Sequence, residues 1–503
     1  MAAAATLPLA YLLIVTLGAG SDAFDTLWRP RTAELVLRSL ALTLAVTTAV
    51  IAIALPLAWL TVRTDLPGRR LWTVAAALPL VIPSYIGAYA LLSALGPAGL
   101  GQDLLEPLGV KRVPSIAGFP GAWLTLTLFT YPFVLLPVRV ALHRLDPQLE
   151  EAALGMGRSR TNVFWTVILP HLVPAIGAGA LLVALYVLSD FGAVSIMRFE
   201  SFTTSIYTLY RASFDRIGAA SLATLLATLM LVILWLESRT RRPEALYRSA
   251  PGTARAPRLV PLGRWRWPAL AFCAMVALLA LAIPIAVLFY WSLQSVSGDL
   301  AWGEIAAAAG HTLLASGLTA LVASLCAVPI ALLAVRFPSP FSTAVERLSY
   351  TGHALPGIVV ALALVFFGTR VAGGLYQTLA MLVFAFVVLF LPLAVGVTRA
   401  ALLQVSPRVE EAARGLGRSP LAVLRTVTAP LISSGAVAGA ALLFLTAAKE
   451  LPATLILAPI GFETLATEIW KATSVGFFER GAVPSLILLA ISALPLYLLT
   501  ARD

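Results

Sequence analysis

Long apolar stretches follow one another along almost the whole chain, and short polar segments separate them. A stretch of about 20 apolar residues is long enough to cross, as a helix, the roughly 30 Å hydrocarbon core of a membrane. The pattern therefore predicts an all-α polytopic membrane protein with about 12 transmembrane helices. The predicted spans are 1–19, 38–62, 72–94, 122–143, 173–196, 218–236, 267–291, 311–335, 348–368, 376–398, 434–457 and 482–500.

The first six and the last six predicted spans are repeats of each other. A constant offset of 273 residues relates Pro56, Arg63, Pro67 and Pro83 to Pro329, Arg336, Pro340 and Pro356. From Pro147 onward the offset is 260, so the first half has 13 extra residues, which fall in its loop 96–120. Six spans in each half give both halves the same orientation in the membrane. We expect a first repeat at 1–236, a linker at 237–266 and a second repeat at 267–503.

Composition and charge agree with a membrane protein. Hydrophobic residues make up 60% of the chain and charged residues 12%, whereas a soluble domain has roughly 25% charged residues. A net charge of +11 would suggest a nucleic-acid partner in a soluble protein, but basic residues of a membrane protein mark its cytoplasmic loops. The linker 237–266 contains eight arginines and two glutamates. We therefore place the linker and both termini in the cytoplasm and expect no nucleic-acid partner.

The first predicted span has some features of a signal peptide. Its sequence, MAAAATLPLAYLLIVTLGAGSDA, contains small residues where cleavage could fall. It lacks the basic residues with which a signal peptide opens. We expect this segment to be retained as a membrane span.

Residues that would indicate catalysis or a resident cofactor are few and scattered. The chain has three lysines, Lys111, Lys449 and Lys471. None of them follows a glycine, so a GxxxxGK[ST] phosphate-binding loop is absent from the sequence. The four histidines are His143, His171, His311 and His353. They show no metal-ligand spacing, so we expect no metal site, no catalytic residues and no cofactor bound by this chain.

Two polar loops interrupt the apolar pattern at equivalent places. The first polar loop, 147–170, ends in EEAALGMGRSRTNVFWTVILP, and the second polar loop, 407–430, ends in EEAARGLGRSPLAVLRTVTAP. They are identical at 13 of 24 positions. Asp146 and Ser406 precede the opening prolines as N-cap residues, and each loop therefore begins a helix. We expect the turns that end these helices at Gly157 and Gly417.

Apolar positions in both loops follow a helical i, i+3, i+4, i+7 stripe. The stripes are Leu149, Ala152, Ala153 and Met156 in the first loop and Val409, Ala412, Ala413 and Leu416 in the second. Because alanine side chains are short, another surface could approach this face of the helix closely. The stripe could lie on the bilayer, pack on the chain's own spans or dock into a separate protein. The near-identity of two copies favours a two-fold partner.

The polar loops resemble the EAA motif of ABC importer permeases. The first matches through Glu151, Gly157 and Pro170, with Val167 in place of isoleucine, and in the second Ala429 replaces a leucine. The resemblance implies two tandem six-helix permease repeats of the MetI-like ABC importer fold in a bacterial inner membrane. It also implies an ABC ATPase homodimer that binds the ATP and magnesium, and an extracytoplasmic solute-binding protein, periplasmic or lipid-anchored. The residues that it assigns to ATPase coupling are Glu150, Glu151, Ala152, Ala153, Gly157, Glu410, Glu411, Ala412, Ala413 and Gly417.

Ionisable residues also occupy equivalent positions inside the fifth predicted span of each repeat. Asp190 corresponds to Glu450 at the offset of 260, and Lys449 is the neighbour of Glu450. Charged groups within a membrane are costly and face a bundle interior or a water-filled path. These three residues are candidates for the translocation path. A buried hydrogen-bond network between helices is the alternative interpretation.

A second resemblance concerns the transported solute. SDFGAVS (189–195), KELPATLIL (449–457) and GFETLAT (461–467) resemble fused permeases of ferric iron importers, over nearly the whole chain. The resemblance implies a ferric iron importer subunit. Related permeases carry thiamine, polyamines or other small solutes, and these remain alternatives. An ion-driven secondary transporter is the rival class, but it does not need paired cytoplasmic docking helices.

Overall fold

A computed structural model describes residues 2–97, 99–108, 114–240, 259–296 and 301–500. These residues are helical almost throughout, and their only β-type pairing is an isolated bridge between Thr64 and Val260. Most of the linker expected at 237–266 lies outside the described residues.

The helices follow one another in this order. The first part of the chain contains α1 (Ala2–Gly18), α2 (Ser21–Leu27), α3 (Pro30–Arg63), α4 (Arg69–Ala77), α5 (Ser84–Leu95), α6 (Leu100–Leu105), α7 (Phe119–Thr130), α8 (Pro132–Arg144), α9 (Pro147–Gly155), α10 (Arg160–Val163), α11 (Leu169–Ser189), α12 (Gly192–Ile196), α13 (Phe202–Arg211) and α14 (Arg216–Thr240). The second contains α15 (Arg266–Ala277), α16 (Ile283–Val296), α17 (Trp302–Arg336), α18 (Pro340–Ser349), α19 (Gly357–Arg370), α20 (Leu379–Gln404), α21 (Pro407–Gly415), α22 (Pro420–Val423), α23 (Ala429–Ala448), α24 (Pro452–Leu457), α25 (Leu465–Ser474) and α26 (Phe478–Thr500). Single π-helical turns cover Phe164–Ile168, Leu278–Ala282 and Leu424–Thr428, and 3-10 turns cover Leu78–Val81, Glu106–Leu108, Gly263–Trp265, Thr351–Ala354 and Gly373–Leu375.

The all-α membrane fold predicted from the apolar pattern is confirmed. Among the described residues, eight helices are long and apolar enough to cross a membrane, and two bent helix pairs raise the number to ten. The shorter apolar α19 and the C-terminal α26 account for the remaining two predicted segments. The predicted third span is one of the bent pairs, with an angle of 101° between Arg69–Val81 and the helix that begins at Ser84. Pro83 lies at this bend, where it removes a helical hydrogen-bond donor.

The predicted spans 173–196 and 434–457 are too long at their C-terminal ends. Helix α11 ends at Ser189, directly before Asp190, and α23 ends at Ala448, two residues before Glu450. The short helices α12 and α24 follow these breaks. Asp190 and Glu450 are therefore outside the fifth helix of each repeat, not inside it as the apolar pattern suggested.

The described residues group into two compact units. The larger unit contains residues 1–32, 202–228 and 291–503, and the smaller unit contains 33–201 and 229–290. Segments 1–32 and 202–228 come from the first half of the sequence but belong to the unit that holds most of the second half. The division into sequence repeats does not predict this grouping.

Three long helices form the centre of the larger unit. Helices α17, α20 and α23 pack against one another, and α1 packs on α18 and α19. The rings of Tyr11 and Phe367 meet edge to face at 5.8 Å between centroids, which joins α1 to α19. The first predicted span is thus a helix packed into this unit.

The smaller unit is built around α8 and α11, with α5 packed on α7 and α12. Gly179 lets α11 approach α8 closely, because a Cβ at this position would lie 2.7 Å from the Cα of Val134. Small residues at such contacts are typical of helix packing in membranes, where the lipid supplies no hydrophobic driving force for association.

Candidate functional site

The two polar loops fold in the same way at equivalent positions. In the first polar loop α9 is followed by a turn, the short α10 and the π-helical turn Phe164–Ile168, which leads into α11. In the second, α21, α22 and the π-helical turn Leu424–Thr428 lead into α23. Single π-helical turns are rare and occur frequently at functional sites. The π-helical turns of the two loops recur at the offset of 260, so the loops share their local structure as well as their sequence.

The turn between the two helical segments depends on a glycine in each loop. Gly157 and Gly417 both have φ of 82°, in the region that side chains other than glycine disfavour. The amide of Gly157 donates to the carbonyl of Leu154 at 2.9 Å, and that of Arg158 donates to Ala153 at 3.3 Å. These bonds satisfy carbonyls at the end of α9. The predicted turns at Gly157 and Gly417 are therefore confirmed.

The helix starts differ between the loops in one detail. Asp146 accepts a hydrogen bond from the amide of Gln148 at 2.9 Å, as an N-cap side chain does. Ser406 is the N-cap residue of α21, as predicted, but its side chain makes no capping hydrogen bond. Ser159 and Ser419 cap the short helices that follow.

The paired glutamates of each loop have opposite environments. Glu150 accepts a bond from the buried Arg63 at 2.6 Å between Nη2 and Oε1. Glu410 accepts from Arg336, with 3.1 Å between Nε and Oε2, and from the hydroxyl of Thr428 at 3.1 Å. The following residues, Glu151 and Glu411, are exposed.

These ion pairs attach each polar loop to the C-terminal end of a membrane helix. Arg63 is the last residue of α3 and Arg336 is the last residue of α17. Each pair is largely withdrawn from water, with Arg63 2% exposed and Glu410 5% exposed in their side chains. Loss of one partner from such a pair is costly because the remaining charge stays buried without compensation.

The sequence held a signal for these ion pairs. Arg63 matches Arg336 at the first offset, and Glu150 matches Glu410 at the second. Two opposite charges that recur together in both repeats are candidates for contact. The spacing alone could not join them, since 87 residues separate Arg63 from Glu150.

The apolar stripe predicted for the polar loops is partly wrong. Ala153 and Ala413 are buried against the protein, while Ala152 and Ala412 are exposed. Large apolar side chains of the stripe point outward: Met156 is 72% exposed and Leu416 is 84% exposed. Ala153 and Ala413 thus pack each helix against its own unit. The other residues of each stripe form an exposed apolar surface.

Asp190 lies where two broken helices of the smaller unit meet. Its Oδ1 accepts from the amides of Ala193 at 3.0 Å and Val194 at 3.3 Å, which caps the start of α12. Its Oδ2 accepts a short bond from the hydroxyl of Ser84, the first residue of α5. The carboxylate therefore ties the break after α11 to the break before α5.

Glu450 has the equivalent role in the larger unit, with different packing. Its Oε1 accepts from the amide of Ala453 at 3.2 Å, near the start of α24. Gly357, the counterpart of Ser84 at the offset of 273, is the first residue of α19 and lies against the Glu450 carboxylate. The longer glutamate side chain thus occupies the space that the serine side chain fills in the other unit.

Both carboxylates hold short helices in place, as the hydrogen-bond interpretation of these residues expects. Lys449 is half-buried at the C-terminal cap of α23, directly before Glu450. Contact of Asp190, Lys449 or Glu450 with a transported solute stays a prediction. Among the described residues there is no group of three histidine, cysteine or carboxylate side chains that could hold a metal ion.

Comparison with known proteins decides the family. The family described as binding-protein-dependent transport system inner membrane component matches the chain twice, at residues 116–242 and 327–502. Each match contains one polar loop. The chain belongs to this family. The two family domains of this permease contain most of α7–α14 and α17–α26, respectively.

One relative matches this chain over nearly its whole length, so the similarity covers both family domains together. This permease is 35% identical over 498 residues to the Fe(3+)-transport system permease protein FbpB 2 of Haemophilus influenzae, which covers 98% of this chain and 95% of the relative. It is 34% identical over 184 residues to the molybdenum transport system permease protein ModB of Escherichia coli, covering 35% of this chain and 79% of that one. A solved structure of the MetNI methionine ABC transporter in an inward-facing conformation aligns with 42% of this chain and 95% of its own, at 18% identity and a TM-score of 0.32. The assignment rests on the family match and on the full-length relative.

Proposed function

We propose that this permease is the membrane subunit of an ATP-driven importer. A solute-binding protein delivers the solute on one side of the membrane, and an ATPase dimer on the other side drives its transport. The observation that carries the proposal is the pair of equivalent polar loops. Each has one glutamate anchored to a membrane helix and one glutamate exposed. One glutamate bound to a membrane helix and a neighbouring glutamate open to a partner suit a segment that transmits movement of the partner to the membrane helices.

The exposed surface of each loop fits a groove on the ATPase. Met156 and Leu416 project from the ends of α9 and α21, and Glu151 and Glu411 flank them. A short helix that presents apolar anchors to a partner groove is a common recognition mode. Two such helices on one chain match the two subunits of a homodimer. ATP and magnesium belong to that dimer in this proposal, and this chain is not catalytic.

We infer that the solute is ferric iron. The support is the relative named for Fe(3+) transport, which matches this chain over nearly its whole length. The tandem arrangement of two family domains in one chain supports the same inference. In this proposal Asp190 and Glu450 act as positioning residues for α12 and α24, beside the path that the solute takes.

The proposal places both polar loops and both termini in the cytoplasm. Reporter fusions after residues 105 and 250 test this orientation: the first should report an external position and the second a cytoplasmic one. The same side for both would contradict the topology.

Co-purification tests the coupling role. The chain should co-purify with a co-expressed ABC ATPase at one ATPase dimer per chain, and the purified chain alone should hydrolyse no ATP. An ATPase that fails to associate with the chain in membranes and in detergent would contradict the proposed role of the polar loops.

A further inference from the structure

A cleft of about 410 Å³ lies in the smaller unit between the end of α3 and the start of α10. Its lining consists of Leu55, Pro56, Trp59, Arg160, Thr161 and Phe164. Most of this surface is apolar, and Arg160 is its single charged side chain. The cleft is thus an apolar recess with one cation at its edge.

Aromatic rings give the cleft a defined wall. Trp59 and Phe164 meet edge to face at 5.3 Å between ring centroids, and Trp165 meets Phe164 in the same way at 5.4 Å. Trp165 is exposed beside the cleft. The guanidinium of Arg160 is exposed, and it joins no ion pair among the residues that the structure describes.

Both sides of the cleft are the ends of membrane spans. The spans are Pro30–Arg63 and Arg160–Ser189, and only 33% and 28% of their most apolar windows are buried within the protein. Most of each apolar window therefore lies on the surface of the protein. Tryptophan is enriched where spans leave the hydrocarbon, and basic pockets between spans at this level bind the head groups of anionic lipids.

We propose that this cleft binds an anionic phospholipid. The lipid phosphate accepts hydrogen bonds from the Arg160 guanidinium, and the glycerol and upper acyl chain pack on Pro56, Trp59 and Phe164. Charge complementarity carries the choice of occupant, because the cleft has one cation without an ion-pair partner among the described residues, and an apolar wall formed by two predicted membrane spans.

The second repeat has no equivalent site. Pro420 replaces Arg160, Leu424 replaces Phe164, and Leu332 replaces Trp59 at the established offsets. The cation and both rings are therefore absent there. The proposal predicts one bound anionic lipid per chain, at the first polar loop only.

Lipid binding at this place affects the segment next to Gly157. Helix α10 begins three residues after that glycine, so a lipid on Arg160 holds the second half of the first polar loop at the membrane surface. The binding itself does not depend on the proposed transport function, and it can be measured on the permease alone.

The test uses the purified full-length permease in a neutral detergent. Phosphatidylglycerol is titrated, the bound lipid is counted by native mass spectrometry, and the shift in melting temperature is recorded. The wild-type chain should retain one tightly held phosphatidylglycerol, whereas phosphatidylcholine and inorganic phosphate should produce neither tight binding nor the shift. Replacing Arg160→Gln should weaken phosphatidylglycerol binding about tenfold, the loss expected for a charge-assisted hydrogen bond.

Two further variants keep the test decisive. Arg160→Lys retains the cation and should bind at near wild-type strength, so loss with Gln and retention with Lys separates charge from misfolding. Arg425→Gln removes an exposed arginine from the equivalent segment of the second repeat and should leave binding unchanged. Equal phosphatidylglycerol binding by the wild type and Arg160→Gln would overturn the proposal.

Discussion

Gly357 lies directly against the carboxylate of Glu450, where a Cβ on residue 357 would overlap Oε1. The equivalent pair in the first repeat is Ser84 and Asp190, in which the serine hydroxyl donates to the shorter carboxylate. In both repeats a carboxylate therefore packs against the first residue of a helix: the shorter aspartate against a serine, and the longer glutamate against a glycine. Each joins the start of a helix after a proline to the break that follows the fifth span.

The first prediction is that these pairs can be exchanged only together. Gly357→Ser should destabilise the permease by about 1–3 kcal/mol, because the hydroxymethyl group has no space beside Glu450. Adding Glu450→Asp to Gly357→Ser should recover most of the loss, since the shorter carboxylate recreates the pair of the first repeat. The melting temperature in detergent measures this. A double variant no more stable than Gly357→Ser alone would show that the two positions do not act as a pair.

The second prediction separates the two glutamates of the second polar loop. Glu410→Gln should destabilise the protein by about 3–5 kcal/mol, because Arg336 is left buried without a charged partner. Glu411→Gln should change stability by less than about 0.5 kcal/mol, since residue 411 is exposed. The same Glu411 variant should reduce co-purification of the ATPase. The neighbouring residue thus provides a matched control, and equal stability of both variants would contradict the anchoring role of Glu410.

The third prediction concerns the turn glycines. Gly157→Ala should cost about 1–2 kcal/mol, because alanine at φ of 82° adopts the left-handed conformation. Gly155→Ala, two residues earlier inside α9, should be neutral or stabilising by up to about 1 kcal/mol, since alanine favours the helix and the space is open there.

The proposed coupling role predicts the same order for ATPase binding. Gly157→Ala should weaken ATPase association, and Gly155→Ala should leave it unchanged. A variant with both Gly157→Ala and Gly417→Ala should bind the ATPase more weakly than either single variant, because in the proposed function each polar loop engages one ATPase subunit. If Gly155→Ala and Gly157→Ala affect ATPase association equally, the turn at Gly157 has no special part in docking.

The fourth prediction is a pH dependence set by α25, which lies outside the membrane spans. Burial, together with the neighbouring Glu463, raises the pKa of Glu468 to about 7. Hydrogen bonds from Glu468 and Lys471 lower the pKa of Glu463. Glu304 also faces Glu468 and disfavours its ionisation. Glu468 is therefore the carboxyl group of this pair that takes up a proton more readily.

The sign follows from the raised pKa of Glu468. The folded state holds this proton more tightly than the unfolded chain, so its contribution to stability is complete below about pH 4.5 and is lost as the pH rises through about 7. The contribution of Glu463 has the opposite sign and changes below pH 4.5, outside this window. We expect the melting temperature of the wild type to fall between pH 5 and 7.5, and Glu468→Gln to flatten this slope. A slope that survives the substitution would assign it to other groups.

The fold was largely predictable because its signals are long or repeated. Apolar stretches of membrane length identify the spans, and a polar loop that occurs twice identifies the candidate site. The breaks after Ser189 and Ala448 could not be read in this way. Apolar residues continue on both sides of each break, and Asp190 and Glu450 accept hydrogen bonds from the first turn of the next helix.

Contacts between distant segments were the other limit. The pairing of Glu150 with Arg63 and the packing of α1 on α19 depend on how separate helices associate. Periodicity along one segment holds no information about its partner. The alternation between an anchored and an exposed glutamate in each polar loop therefore emerges only from the structure.

The central claim is that this permease imports ferric iron with energy from an ATPase that binds its polar loops. The most direct test is uptake of radioactive ferric iron into proteoliposomes that contain the permease, with the ATPase and ATP on the side of the polar loops and the iron-loaded binding protein on the other. Uptake should require all of these components, stop when ATP is withheld, and fall sharply with Glu151→Lys and Glu411→Lys combined. Iron uptake driven by an ion gradient without ATP, or ATP-dependent uptake that persists in the double variant, would contradict the account.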